Sequence, residues 1–149
     1  MPSYLHVGLN TYKHLALTLH TEQDLLKYYH QNQSKYVKKI VLVQHKNGRI
    51  KEREVYNTSD EYKNILRKIN KYILQKNALP YGVLGAVAGK SIAEMASFHL
   101  KKESVFSLDI KDFYPNITAK KIFYLWLRSG CNIKLSNFLK ELVTYNEIL

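Results

Sequence analysis

Leu15, Leu17 and Leu19, followed after a break by Leu25, Leu26 and Tyr29, carry helical spacing through residues 11–31. The pattern predicts two short helices, with Thr21 as the N-cap of the second. At Lys39-Ile40-Val41-Leu42-Val43-Gln44 the residues turn β-rich, and Arg49 to Tyr56 returns after Asn47-Gly48. Asn-Gly suits a two-residue type I′ turn, which needs positive φ at both positions, so a hairpin is expected over about 38–56. Tyr62, Ile65, Leu66, Ile69 and Ile73 then fall on one stripe of an amphipathic helix over about 61–75, with Lys63, Arg67, Lys68 and Lys71 around the other side. The stripe reads as core and the basic face as solvated surface.

After Pro80-Tyr81-Gly82 comes a glycine-containing loop to residue 89, and Ser91 to His99 reads as helix with Ser91 able to cap it. From Ser104 the period becomes two. Phe106, Leu108 and Ile110 point one way and Val105, Ser107 and Asp109 the other, which predicts a strand. Thr118 is a credible cap for a helix over 119–129 closed by Gly130, and Ser136 for a last helix that runs to residue 149. His99 is expected to be a packed, hydrogen-bonded histidine. The fold class is therefore α+β, divided for description into 1–80 (helices and hairpin) and 81–149.

At 149 residues the chain is long enough for a real core, and 46% hydrophobic content with 12% aromatics excludes a disordered polymer. Net charge is +11, carried unevenly: residues 1–76 hold 14 basic and 6 acidic side chains, residues 77–149 hold 9 and 6. A polyanionic partner is implied, gripped chiefly by the front half, although an AT-rich genome would inflate lysine as well. Cys131 is the only cysteine, so an intrachain disulfide is excluded and a thiolate metal site disfavoured. The N-terminus lacks the basic start and apolar run of a signal peptide, and no apolar stretch reaches membrane-spanning length, so a cytoplasmic protein is expected.

Asp109 ends an apolar run, and Asp112 follows three residues later across a turn. Carboxylates there are solvated, paired or bound to a hard cation such as Mg²⁺, which takes one or two carboxylates together with substrate phosphates. Two acids alone favour a plain surface turn. The full string Leu108-Asp109-Ile110-Lys111-Asp112-Phe113-Tyr114-Pro115-Asn116-Ile117, however, resembles the first palm motif of reverse transcriptases, especially the retron and group II intron branch, which reads close to Leu-Asp-Ile-x-Asp-Phe-Phe-x-x-Ile.

Three further stretches match in order. Leu84-Gly85-Ala86-Val87-Ala88-Gly89-Lys90-Ser91-Ile92, with Ala96 and His99, resembles the segment before the palm strand. Tyr62-Lys63-x-Ile65-x-x-x-Ile69 resembles the family's fingers helix, with Leu66 in place of the usual Gln. Arg53-Glu54-Val55 stands where the family has Arg-x-Ile on its fingers hairpin, with Thr58 replacing a frequent Pro. The resemblance covers roughly residues 15–149. Gly85-x-x-x-Gly89-Lys90-Ser91 is not a P-loop: three residues instead of four separate its glycines, and a break rather than a strand precedes it.

The resemblance implies an RNA-directed DNA polymerase with a right-hand fingers subdomain and the first strand and helices of a palm. Asp109 would be catalytic and a metal ligand, assisted by the Ile110 carbonyl, in a centre of two Mg²⁺ ions. Asp112, Phe113 and Tyr114 would cradle the incoming dNTP, Tyr114 as the aromatic gate against a ribose 2′-hydroxyl. Arg53 would grip the triphosphate, with Arg49 and Lys51 able to share that role. Arg49, Lys51, Lys90 and Ser91 would contact nucleic acid, an RNA template and DNA primer. A phage-defence role is among the family's settings. The family's Pro-Gln-Gly and Tyr/Phe-x-Asp-Asp segments do not occur, so the sequence reads as an incomplete palm without its C-terminal palm and thumb, inactive alone. The alternatives are a non-catalytic basic nucleic-acid-binding module, or a relic of a split polymerase gene.

Overall fold

A computed structural model describes residues 7–46, 48–76, 79–80, 82–85 and 87–146, without the side chains of residues 46, 49 and 51. Helices α1 (Tyr12–Thr18), α2 (Gln23–Gln31) and α3 (Gln33–Tyr36) lead into the antiparallel hairpin β1 (Val37–Lys46) and β2 (Arg49–Thr58). Helix α4 (Asp60–Tyr72) follows, and a 3-10 turn (Leu74–Lys76) continues it. Beyond the glycine loop come α5 (Ile92–Ser97), the irregular stretch 98–118, α6 (Ala119–Arg128) and α7 (Ile133–Val143). The α+β class holds.

Local chemistry starts α5 and α6 at the caps expected for them, Ser91 and Thr118. Side chains of Thr11, Ser59, Ser91, Thr118 and Asn132 accept from the backbone N–H three residues on, capping α1, α4, α5, α6 and α7. Two of the expected caps move. Thr21 does not cap α2, whose N-cap is Glu22; the Thr21 N–H instead donates to the Ala16 carbonyl, behind His20 at φ 46°, and so closes α1. Ser136 lies inside α7, fully buried, because Asn132 captures the Leu135 N–H one turn earlier, and the helix stops at Val143, where Thr144 turns extended, short of the expected end.

The hairpin register pairs Lys46 with Arg49 and Val37 with Thr58, which leaves a two-residue connection. Gly48 has φ 73°, as such a turn demands, while Asn47 lies outside the described residues. The expected strand at 104–110 does not form. Among the described residues the sheet consists of β1 and β2 alone, and Phe106, Leu108 and Ile110 are 89%, 95% and 69% exposed. Alternation makes a strand only where a neighbouring edge supplies the ladder, and here none does. His99 is likewise exposed rather than packed.

One hydrophobic cluster ties the two ends of the chain together. Leu15 of α1, Leu19 just after it and Leu26 of α2, with Tyr62, Ile65 and Ile69 from α4, meet Trp126 of α6 and Leu135, Leu139 and Leu142 of α7. The described residues between, from 79 to 117, are mostly exposed and carry two of the four matching stretches, the glycine loop and the Asp109 motif. Among the described residues no helix is long and apolar enough to cross a membrane.

Candidate nucleotide site on the hairpin and the Asp109 turn

The turn after Asp109 is built by backbone hydrogen bonds. Asp112 takes φ 51°, a left-handed conformation that aspartate tolerates better than most residues. Its carbonyl accepts from the Asn116 backbone N–H at 3.1 Å and from Asn116 Nδ2 at 2.8 Å. The Ile117 N–H donates to the Tyr114 carbonyl at 3.0 Å, and Lys121 Nζ reaches back from α6 to the Asn116 carbonyl at 2.8 Å. Thr118 then caps α6, so the buried face of that helix anchors the turn to the core.

The candidate side chains stand on the outside of this frame. Asp109, Ile110, Asp112, Phe113 and Tyr114 are all exposed, Tyr114 at 66%. The rings of Phe113 and Tyr114 meet edge to face, with centroids 5.4 Å apart. Solvated carboxylates incur no desolvation cost and stand open to a cation. They do not by themselves form a two-ion centre: among the described residues no three His, Cys, Asp or Glu side chains converge as metal ligands. Asp109, Asp112 and the Ile110 carbonyl are hard oxygen donors of the kind Mg²⁺ takes, but the set is short of a two-ion site.

On the hairpin, the register sorts the charges between the two faces. Positions 38, 40, 42, 53, 55 and 57 share one face with 44, 46, 49 and 51. That face holds Lys38 and Arg53 around Ile40, Leu42 and Val55, and positions 46, 49 and 51 are also basic; it holds no acid. The opposite face carries both acids, Glu52 and Glu54, and Lys39 pairs with Glu54 at 2.7 Å. Arg53 stands opposite Leu42 and is exposed, while the side chains of Arg49 and Lys51 lie outside those described. Among the described residues no hydrogen bond or ion pair links Arg53 to the Asp109 turn. The turn residues are brought together by their own sequence, and Arg53 stands apart on β2.

Lys90 and Ser91 are engaged locally. Ser91 Oγ accepts the Glu94 N–H at 3.0 Å, and Lys90 Nζ meets Glu94 Oε1 at 2.6 Å. Both sit at the start of α5, where Lys90 and Glu94 line a cavity of about 700 Å³ together with Asn70, Leu74, Val83 and Phe98. That cavity was not legible in the sequence, since its walls come from α4, the glycine loop and α5 together.

A polar latch beside the core was missed as well. Gln33 Nε2, on the short α3, donates toward Tyr62 Oη, the Glu141 carbonyl and the Thr144 carbonyl at 2.8–3.0 Å. Tyr62 Oη donates to the Leu142 carbonyl at 2.7 Å. Burial pushes the Tyr62 phenol up to about 12, against a smaller lowering by the Gln33 bond. His30 Nε2 lies 2.6 Å from Glu141 Oε2, its ring stacked on Phe138. Glutamine and tyrosine this far apart in sequence give no periodic signal, so only the packing of α3 on α7 reveals the latch.

No family model matches the chain. It is 37% identical over 99 residues to the retron Se72 reverse transcriptase of Salmonella heidelberg (strain 579083-10), a match that covers 64% of this chain and 26% of that protein. It is 28% identical over 112 residues to the retron Ec86 reverse transcriptase of Escherichia coli, covering 74% of this chain and 35% of that one. The chain thus spans about a quarter to a third of the length of the curated relatives it matches.

Proposed function

The chain is related to retron-type reverse transcriptases, and we propose that it supplies the fingers and the first palm motif of an RNA-directed DNA polymerase. The observation behind this reading is the turn from Asp109 to Tyr114. Asp112 and two aromatic rings are held at the surface by a hydrogen-bonded turn, with Asp109 exposed just before it, where the core has no use for them. Asp109 is assigned as the carboxylate that would meet Mg²⁺, with the Ile110 carbonyl beside it, and the remaining ligands lie outside this set. Asp112, Phe113 and Tyr114 form the floor for a dNTP, with the Tyr114 ring set against a 2′-hydroxyl. Arg53, on the acid-free face of the hairpin, is the triphosphate contact, because a guanidinium binds phosphate oxygens in pairs. RNA template and DNA primer are the partners.

The test uses the full-length polypeptide that contains this segment. Asp109→Ala is expected to reduce primer extension by at least about a thousandfold, the scale on which charge stabilisation of a transition state acts. Binding to a primer–template should be unchanged or tighter, since a negative charge has been removed. This chain alone, with one motif acid and no Asp-Asp pair in its sequence, is expected to extend no primer. Retained extension in the Asp109→Ala protein would sink the assignment.

A second reading rests on the segregated charges of the hairpin: a module that binds nucleic acid without chemistry. It predicts the same binding data but no dependence of any activity on Asp109. The two readings separate on that one variant.

A further inference from the structure

Helix α6 carries a second concentration of charge and aromatic surface that the turn and the hairpin do not use. It lies within an acid-free stretch. From Phe113 to Lys140 the sequence holds Lys120, Lys121, Arg128, Lys134 and Lys140 and not one carboxylate side chain.

On α6 itself the outward arc holds Lys120, Tyr124 and Arg128 in one row, each four residues from the next, with Lys121 and Leu125 beside it. The row rises about 6 Å per step. Tyr124 and Leu125 are 45% and 44% exposed, and the three cations are exposed. Lys121 is tied to the Asn116 carbonyl; among the described residues Lys120 and Arg128 have no ion-pair partner. The inward side, with Ala119 and Trp126 at 2% exposure, is spent on the core.

We propose that the outward face of α6, centred on Lys120, Tyr124 and Arg128, binds single-stranded nucleic acid. The two cations take backbone phosphates, and the Tyr124 ring stacks on a base between them. A single strand is favoured over a duplex because stacking needs an unpaired base face. An anionic membrane is the weaker match. An interfacial helix inserts its apolar side, and that of α6 is already buried against α7 and the rest of the cluster. The inference is carried by α6 and holds whether or not the Asp109 turn is catalytic.

The experiment is fluorescence anisotropy of a short labelled RNA with the whole chain over a range of salt concentrations. Lys120→Gln with Arg128→Gln is expected to flatten the slope of log K against log salt by about 1.4, at about 0.7 for each phosphate no longer neutralised. Tyr124→Ala is expected to weaken binding about fivefold or more at every salt concentration, with the slope unchanged. All three side chains are exposed, so the melting temperature should hold and serve as the folding control. Arg67→Gln with Lys71→Gln makes the same charge change on α4 and should leave the slope alone; an equal flattening there means diffuse attraction and overturns the proposal. No RNA binding by the chain overturns it too, as does displacement of the RNA by phosphatidylserine vesicles. Arg53→Gln separates this face from the hairpin: weakening there, with the α6 variants unchanged, overturns the α6 site and leaves the hairpin reading standing.

Discussion

Tyr62 shows what one side chain does in this fold. Its ring belongs to the apolar stripe of α4, and its hydroxyl joins Gln33 of α3 to the Leu142 carbonyl at the end of α7. The Tyr62→Phe substitution keeps the ring but leaves the buried carbonyl without its donor. It is expected to cost about 1–3 kcal/mol, read as a lower denaturant midpoint with the slope of the transition unchanged. The stripe was legible in the sequence because periodicity reports which face is buried. The hydroxyl's partner was not, because it comes from 80 residues away in the chain.

Among the elements, the start of α7 separates sequence propensity from geometry. Asn132 and Ser136 are both good capping residues, and only the backbone decides between them. Asn132 Oδ1 accepts the Leu135 N–H at 2.9 Å, whereas Ser136 Oγ reaches only the Cys131 carbonyl, at 3.5 Å. Asn132→Ala is expected to cost about 1 kcal/mol and Ser136→Ala less than about 0.5 kcal/mol, compared by thermal or chemical melts of the two variants. The hairpin was legible with its register, because Asn-Gly fixes the connection and the β-rich arms fix the extent. Residues 104–110 carry an equally clear alternation and form no strand, since a ladder is a property of two segments and the sequence pattern describes one.

Across the molecule as a whole, the His30–Glu141 contact between α2 and α7 links pH to stability. Burial pushes the Glu141 carboxyl up, but the hydrogen bonds and charges of His30 and Lys140 outweigh it and hold it below its ordinary value of 4.5. The unfolded chain therefore binds this proton more readily. The stabilisation is fully present above pH 4.5 and is lost as pH falls through the lower folded value. With Glu141 half exposed, about 0.5 kcal/mol is at stake. The drop in melting temperature between about pH 6 and about pH 3 should be smaller in Glu141→Gln than in the parent chain; an identical drop would assign the acid sensitivity to other groups.

Helices α1, α2, α4, α5 and α6, the hairpin and its register, the stripe of α4 and the motif around Asp109 all follow from the amino-acid order. Each of these is local: a cap, a turn or a periodicity is complete within a dozen residues or so. Three outcomes came from packing instead. Helices α6 and α7 close one core with α1, α2 and α4 across the chain, the Asp109 turn is held out to solvent by Asn116 and Lys121, and the charges of α6 face away from that core. They depend on which buried faces meet, and apolar burial is non-directional: it selects partners by shape and by the area removed from water, which no single segment encodes.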